Sequence, residues 1–258
     1  MEEYERLIDD NTAIVFVDYV SWITGYRERI REIAEIAHAR GAVLISDAFH
    51  AVGVLPIDVT KDGVDALITG SYKWLLGPHG AGFVYVSDEL LSRLKPSLSG
   101  WMGIDDNQVS RRLRSEKLFE RPIDISTYMP AKDAARLEWG GTWPVIAFEG
   151  GTLASMKLLL KYEVPHRFEE HTSKLIMRLA DSLRDLGLKI TTPLNSHAAI
   201  LTFEYSDPPY GLAEFLSRNG IVVSPRPGTI RVSPHGYNTV EEIERLIEAL
   251  RAYIRSRA

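Results

Sequence analysis

Apolar positions fall into short runs over the first third of the chain and into longer periodic stretches over the last half. Residues 12–19 (TAIVFVDY), 42–45, 66–69 and 81–86 are dense in β-branched and aromatic side chains without a helical period, and predict buried strands. Between the first two, Ile30, Ile33, Ala34, Ile36 and Ala37 recur on one helical face, which Gly41 ends. Residues 1–8 read as the end of a helix before an Asp9-Asp10-Asn11 turn, and residues 88–94 as a short helix. This strand-helix-strand rhythm predicts an α/β layer with a largely parallel sheet.

Residues 95–138 are polar and aperiodic, and a segment of that kind inside a compact chain is usually functional or mobile. Trp101, Tyr128 and Trp139 are the aromatics there and at its end that a pocket, a partner or a core would use. The pattern changes after Pro144. Residues 145–161 and 165–186 predict two helices, the second opened by Pro165 and stopped by Gly187. Short strands are expected at 188–191, 198–203, 221–223 and 229–232, with a helix at 210–218. Thr239 and Glu242 form a capping box for a last helix with Ile243, Leu246, Ile247, Leu250 and Ile254 facing inward. The expected division is a partial large domain over 1–138 and a small α+β domain over 139–258.

Composition narrows the function. A net charge of -5 offers no basic face to nucleic acid, and no apolar stretch is long enough to span a bilayer. With no cysteine, disulfides, thiolate metal sites and thiol nucleophiles are excluded. Asp47 and His50 are three apart and His166 and His171 five apart, neither a recognised ligand spacing, and there is no H-E-x-x-H. The acidic start, MEEYER, is unlike a signal peptide, so the default expectation is a cytoplasmic protein.

The chemistry concentrates in residues 44–86. Asp47 follows an apolar run, and Lys73 stands between another run and a glycine-rich turn, Gly77-Pro78-His79-Gly80-Ala81-Gly82. Both fall beyond the carboxyl ends of predicted strands, where ligands bind in such sheets. Tyr72 and Trp74 shield the lysine, and desolvation favours the free amine, a nucleophile towards carbonyls.

SDAFHAVG and GVDALITGSYKWLLGPHGAG resemble the cofactor core of the class V aminotransferase family, pyridoxal 5'-phosphate (PLP) enzymes of fold type I that include cysteine desulfurases, kynureninases and isopenicillin N epimerase-like proteins. Ser21-Trp22-Ile23-Thr24-Gly25, Gly140-Gly141-Thr142 and the RVSPHGYNT run from Arg231 are similar to three further stretches of that family, in the same order. The resemblance implies the C-terminal part of a fold type I large domain, a mostly parallel sheet with helices on both faces, followed by a small α+β domain. It implies a Schiff base between Lys73 and PLP, Asp47 on the pyridine nitrogen and His50 beside the ring. Ser71 and Tyr72 would bind the phosphate, and Thr142 a phosphate in the neighbouring subunit of a dimer. Arg231 would grip the α-carboxylate of an amino-acid substrate. Two departures stand out. Trp22 occupies a turn where many desulfurase-like members carry asparagine, which throws more of the duty at the phenolic oxygen onto His50. The N-terminal half of the family's large domain has no counterpart here, which leaves open a separate N-terminal chain, a truncated gene, or a rearranged homodimer that closes the sheet edge itself; the rival to an enzyme is an inert remnant or scaffold subunit. Lacking cysteine, the chain by itself is not expected to be a cysteine desulfurase.

Overall fold

The computed structural model describes residues 1–96, 100, 103–105, 129–138, 146–205 and 209–257. The expected strands β1 (Ile14–Asp18), β2 (Val43–Asp47), β3 (Ala66–Gly70) and β4 (Gly82–Val86) form one sheet in the order β1-β2-β3-β4. The first three are parallel, and β4 returns antiparallel to β3. α1 (Glu2–Leu7), α2 (Ile30–Ala39) and the short α3 (Val59–Asp62) lie on the amino-terminal side of their strands, and α4 (Asp88–Arg93) follows β4.

Alternation gives the sheet two faces. Val15, Leu44 and Leu67 point one way, into a core shared with Ile33, Ala34 and Ala37 of α2. Ile14, Phe16 and Val84 point the other way and stay 58%, 59% and 52% exposed. That second face meets a single 3₁₀ turn, Ala134–Leu137, across a cleft of about 700 Å³. Among the described residues, helices thus cover one side of the sheet.

The C-terminal part contains α5 (Leu153–Lys161), entered through a π-helical turn, Ala147–Thr152, and α6 (His166–Asp185). They are followed by β5 (Leu201–Glu204), α7 (Pro209–Arg218), β6 (Ser224–Arg226), β7 (Thr229–Val232) and α8 (Val240–Arg255). The three strands are antiparallel in the order β5-β7-β6. Leu175, Leu179 and Leu183 of α6 close on Phe203, Ile230, Leu246 and Leu250, a second core. α8 starts at the expected capping box, but Tyr253 rather than Ile254 is its last buried side chain.

Two expected strands moved. Residues 188–191 lie along the edge of β5 away from β7 and make only an isolated bridge there, Ile190 to Phe203. The 221–223 strand lies at 224–226 instead, paired through the tight turn before β7, and Val222 is 89% exposed. The two halves also interlock, since Ala198, Ala199 and Ile200 belong to the first core. Gly25 makes this approach possible: its φ is +75°, and a Cβ there would collide with the carbonyl of Ile200. Among the described residues, no helix is long and apolar enough to cross a membrane.

Candidate active site

The three parallel strands deliver their carboxyl ends to one edge of the sheet. In the ladder Asp18 stands opposite Asp47, and Asp47 opposite Ile68. Two carboxylates therefore end adjacent strands on the same face. Phe49 N–H donates to Asp47 Oδ1 at 2.9 Å, a local turn that fixes the carboxylate as the chain leaves β2. The next residue, His50, reaches back over the strand ends.

Lys73 arrives from the connection after β3. Its Nζ lies 2.8 Å from His50 Nε2 and 5.3 Å from the centroid of the Phe49 ring. Asp18, Asp47, His50 and Lys73 line a cleft of about 410 Å³, whose far wall is Trp22, Arg226 and Arg231. Arg231 Nη1 donates to the Trp22 carbonyl at 2.8 Å, which ties the C-terminal hairpin to the turn after β1.

Burial holds the Lys73 amine below the ordinary lysine range. Asp47 works against this, and Arg231 reinforces it. His50 is pushed down to about 4 by burial first and then by Lys73, Arg231 and Arg226. At neutral pH its Nε2 is therefore an acceptor for the ammonium of Lys73, with the ring proton on Nδ1. Asp18 is raised, chiefly by burial and then by the neighbouring Asp47.

Among the residues expected to bind ligand, Asp47, His50, Tyr72, Lys73 and Arg231 meet in this cleft. Ser71 does not open into it. Its hydroxyl is buried against the carbonyls of Pro78, 2.8 Å away, and Ala81, 3.1 Å away, and so ties down the glycine-rich turn. The Tyr72 ring stacks on His79 with centroids 4.5 Å apart. Thr142 lies outside the described residues, as do Trp101, Tyr128 and Trp139. Asp18 and Arg226 were not singled out from sequence. The signal for Asp18 was its place at the end of a strand run, the same place that marked Asp47. Arg226 had no local signal, because its partners come from the turn at Trp22.

An amine, a carboxylate and an imidazole thus meet at the carboxyl ends of a mixed α/β sheet, a lysine-centred candidate site. The aminotransferase class-V family profile matches residues 1–246, and the chain belongs to that family. It is 30% identical to the uncharacterized aminotransferase YcbU of Bacillus subtilis over 258 residues, 98% of this chain and 62% of that protein. Other relatives are named probable cysteine desulfurase and kynureninase. Among solved structures, the apo cysteine desulfurase of Thermococcus onnurineus superposes with a TM-score of 0.84 at 24% identity, covering 99% of this chain and 63% of that one. A C-DES variant with glycine covalently linked to its PLP cofactor gives a TM-score of 0.77 at 20% identity, over 95% of this chain and 62% of that one. The chain thus spans about three fifths of the length of the Bacillus subtilis relative and of these two solved structures.

Proposed function

We propose that this chain carries the cofactor-anchoring and substrate-binding side of a PLP-dependent enzyme acting on an amino acid. The observation that carries the reading is the juxtaposition of Lys73, with its amine held below the usual range, and Asp47 in one cleft. The residues fit the cofactor. Lysine is the side chain that can hold an aldehyde covalently, and a fixed carboxylate facing it suits a pyridinium nitrogen. The cleft also falls within the range of roughly 300–1,000 Å³ common for small-molecule sites. When bound, PLP supplies an electron sink for charge developing at the substrate's α-carbon.

The chain's own residues would then divide the work. Asp47 holds the proton on the ring nitrogen, and the Phe49 N–H keeps its carboxylate oriented. His50, neutral at pH 7, supports the amine of Lys73 and would flank the cofactor when it is bound. Lys73 would hold the aldehyde and would also be the base that moves a proton at the substrate's α-carbon. Arg231 grips the α-carboxylate with a planar fork that lysine lacks. Tyr72 and, from a neighbouring subunit, Thr142 are assigned to the phosphate; Ser71 shapes the turn that presents it. The reaction is an amino transfer, an epimerisation or an elimination. Sulfur transfer through a thiol of this chain has no residue to run on, since it contains no cysteine.

The exposure of Ile14, Phe16 and Val84 among the described residues supports a second reading, in which the chain is an inert or scaffold subunit, and it also supports assembly as a homodimer or with a chain that completes the large domain. Absorbance separates activity from inertness. Protein purified with its natural partners is expected to show the visible band of covalently held PLP, to lose it in Lys73→Ala, and to yield a borohydride-fixed label on residue 73. A complex that stays colourless with added PLP and takes no label sinks the enzyme reading.

A further inference from the structure

Two arginines face the same cleft, and only one has a role so far. β6 and β7 pair with Ser224 opposite Arg231 and Arg226 opposite Thr229. Alternation therefore puts Ser224, Arg226 and Arg231 on one face of the hairpin, with the two arginines as diagonal neighbours roughly 7–8 Å apart. Both line the cleft with Lys73. Arg226 is seated over the Trp22 ring, its guanidinium carbon 5.6 Å from the centroid.

Neither guanidinium meets a carboxylate among the described residues. The recorded acceptors are neutral oxygens: the Pro225 carbonyl for Arg226, and the Trp22 carbonyl and Ser224 hydroxyl for Arg231. Each also keeps a buried Nε–H without a partner. Arg226 acts on Arg231 as a like charge, in the same direction as burial. Two half-buried cations side by side, with donors unspent and, among the described residues, no carboxylate in contact with either, are unfavourable until anions arrive. One carboxylate satisfies one of them.

We propose that Arg226 selects an amino acid with a second carboxylate, on its side chain, while Arg231 holds the α-carboxylate. This rests on the amino-acid reading of the cleft and adds the substrate class to it. A monoacid leaves the Arg226 donors desolvated and unpaired, and sites built to pair a polar group discriminate strongly against ligands that lack it.

The test is isothermal titration of the complete protein with glutarate, butyrate and inorganic phosphate. None of these carries an amino group, so binding is read without turnover. Glutarate is expected to bind at least about tenfold more tightly than butyrate. R226Q should bring glutarate down to the butyrate affinity of the same variant, and R226K should recover only part of the difference, since an ammonium cannot fork. Equal affinity for the two acids in the native protein overturns the proposal, as does a preference that survives R226Q. Phosphate bound as tightly as glutarate also overturns it, by revealing a general anion hole. If R226Q fails to fold by circular dichroism, W22L removes the ring beneath the guanidinium, and an unchanged preference in both W22L and R226K overturns the proposal. The Lys73-dependent band on the same samples reports separately on the enzyme reading. A band without the preference sinks only the selection, and the preference without a band sinks only the enzyme.

Discussion

At Lys73 burial and the Arg231 guanidinium favour the free amine, while Asp47 and Asp18 favour the ammonium; burial is the largest of these, so the amine is released below the ordinary lysine range. His50 receives the same burial and three positive neighbours, and its pKa falls from 6.5 to about 4. The consequence for stability has a definite sign. Between pH 6.5 and about 4 the unfolded chain takes up a proton at His50 that the folded chain refuses, so stability falls across that window as pH is lowered and levels off below it. The effect is at most about 3 kcal/mol, and less because the ring is partly open to solvent. Urea melts at pH 7 and pH 4.5 should show this loss in the native protein and a smaller one in His50→Gln. An equal loss in both would place the titration elsewhere. At this scale Lys73, Asp47 and His50 were legible because each carries its signal in its neighbours. Asp18 and Arg226 were not. Their significance comes from what stands beside them across a ladder or a turn, and spacing along the chain does not record that.

The connection between β3 and β4 is the element that presents the lysine. Residues 71–81 are closed by the Ser71 hydroxyl on the Pro78 and Ala81 carbonyls and by Gly77 N–H on the Ser71 carbonyl at 2.8 Å. A Cβ on Gly77 would lie 2.6 Å from Ser71 Cβ and 2.9 Å from the Thr152 hydroxyl, with no flexible side chain to move aside. Gly77→Ala should therefore cost roughly 1–3 kcal/mol in thermal or urea unfolding and weaken retention of PLP by displacing Lys73. A variant as stable as the native protein would show that the turn relaxes freely. Most elements followed directly from pattern, α8 above all, whose cap and apolar stripe agree. The strands at 188–191 and 221–223 did not. Short apolar runs state a tendency to be extended, and the choice of partner strand decides which of them pair.

Across the whole molecule the two halves share a core through Ala198–Ile200, and the cleft exists only because the C-terminal hairpin returns to the turn at Trp22. The stripe of Ile14, Phe16 and Val84 runs along the same sheet face as Asp18 and Asp47, so whatever covers it also closes one side of the site. Burying a side chain such as Phe16 contributes about 1.5–3 kcal/mol, so association through this face needs Ile14, Phe16 and Val84 covered together rather than any one of them. The isolated chain should self-associate in sedimentation experiments, and Phe16→Glu should shift it towards monomer without lowering its unfolding midpoint. Unchanged association in that variant would remove the face from any role in assembly.

The sequence by itself determined the α/β character and the family, and it singled out the lysine, acid and histidine that share the candidate cleft. Those depend on periodicity and on residues close together in the chain. Only the tertiary structure decided that β4 runs antiparallel, that Ile14, Phe16 and Val84 stay exposed among the described residues, and that a second carboxylate and a second guanidinium join the cleft. Each of these is a matter of which distant segments become neighbours, and burial, register and charge pairing are settled only once the chain has closed.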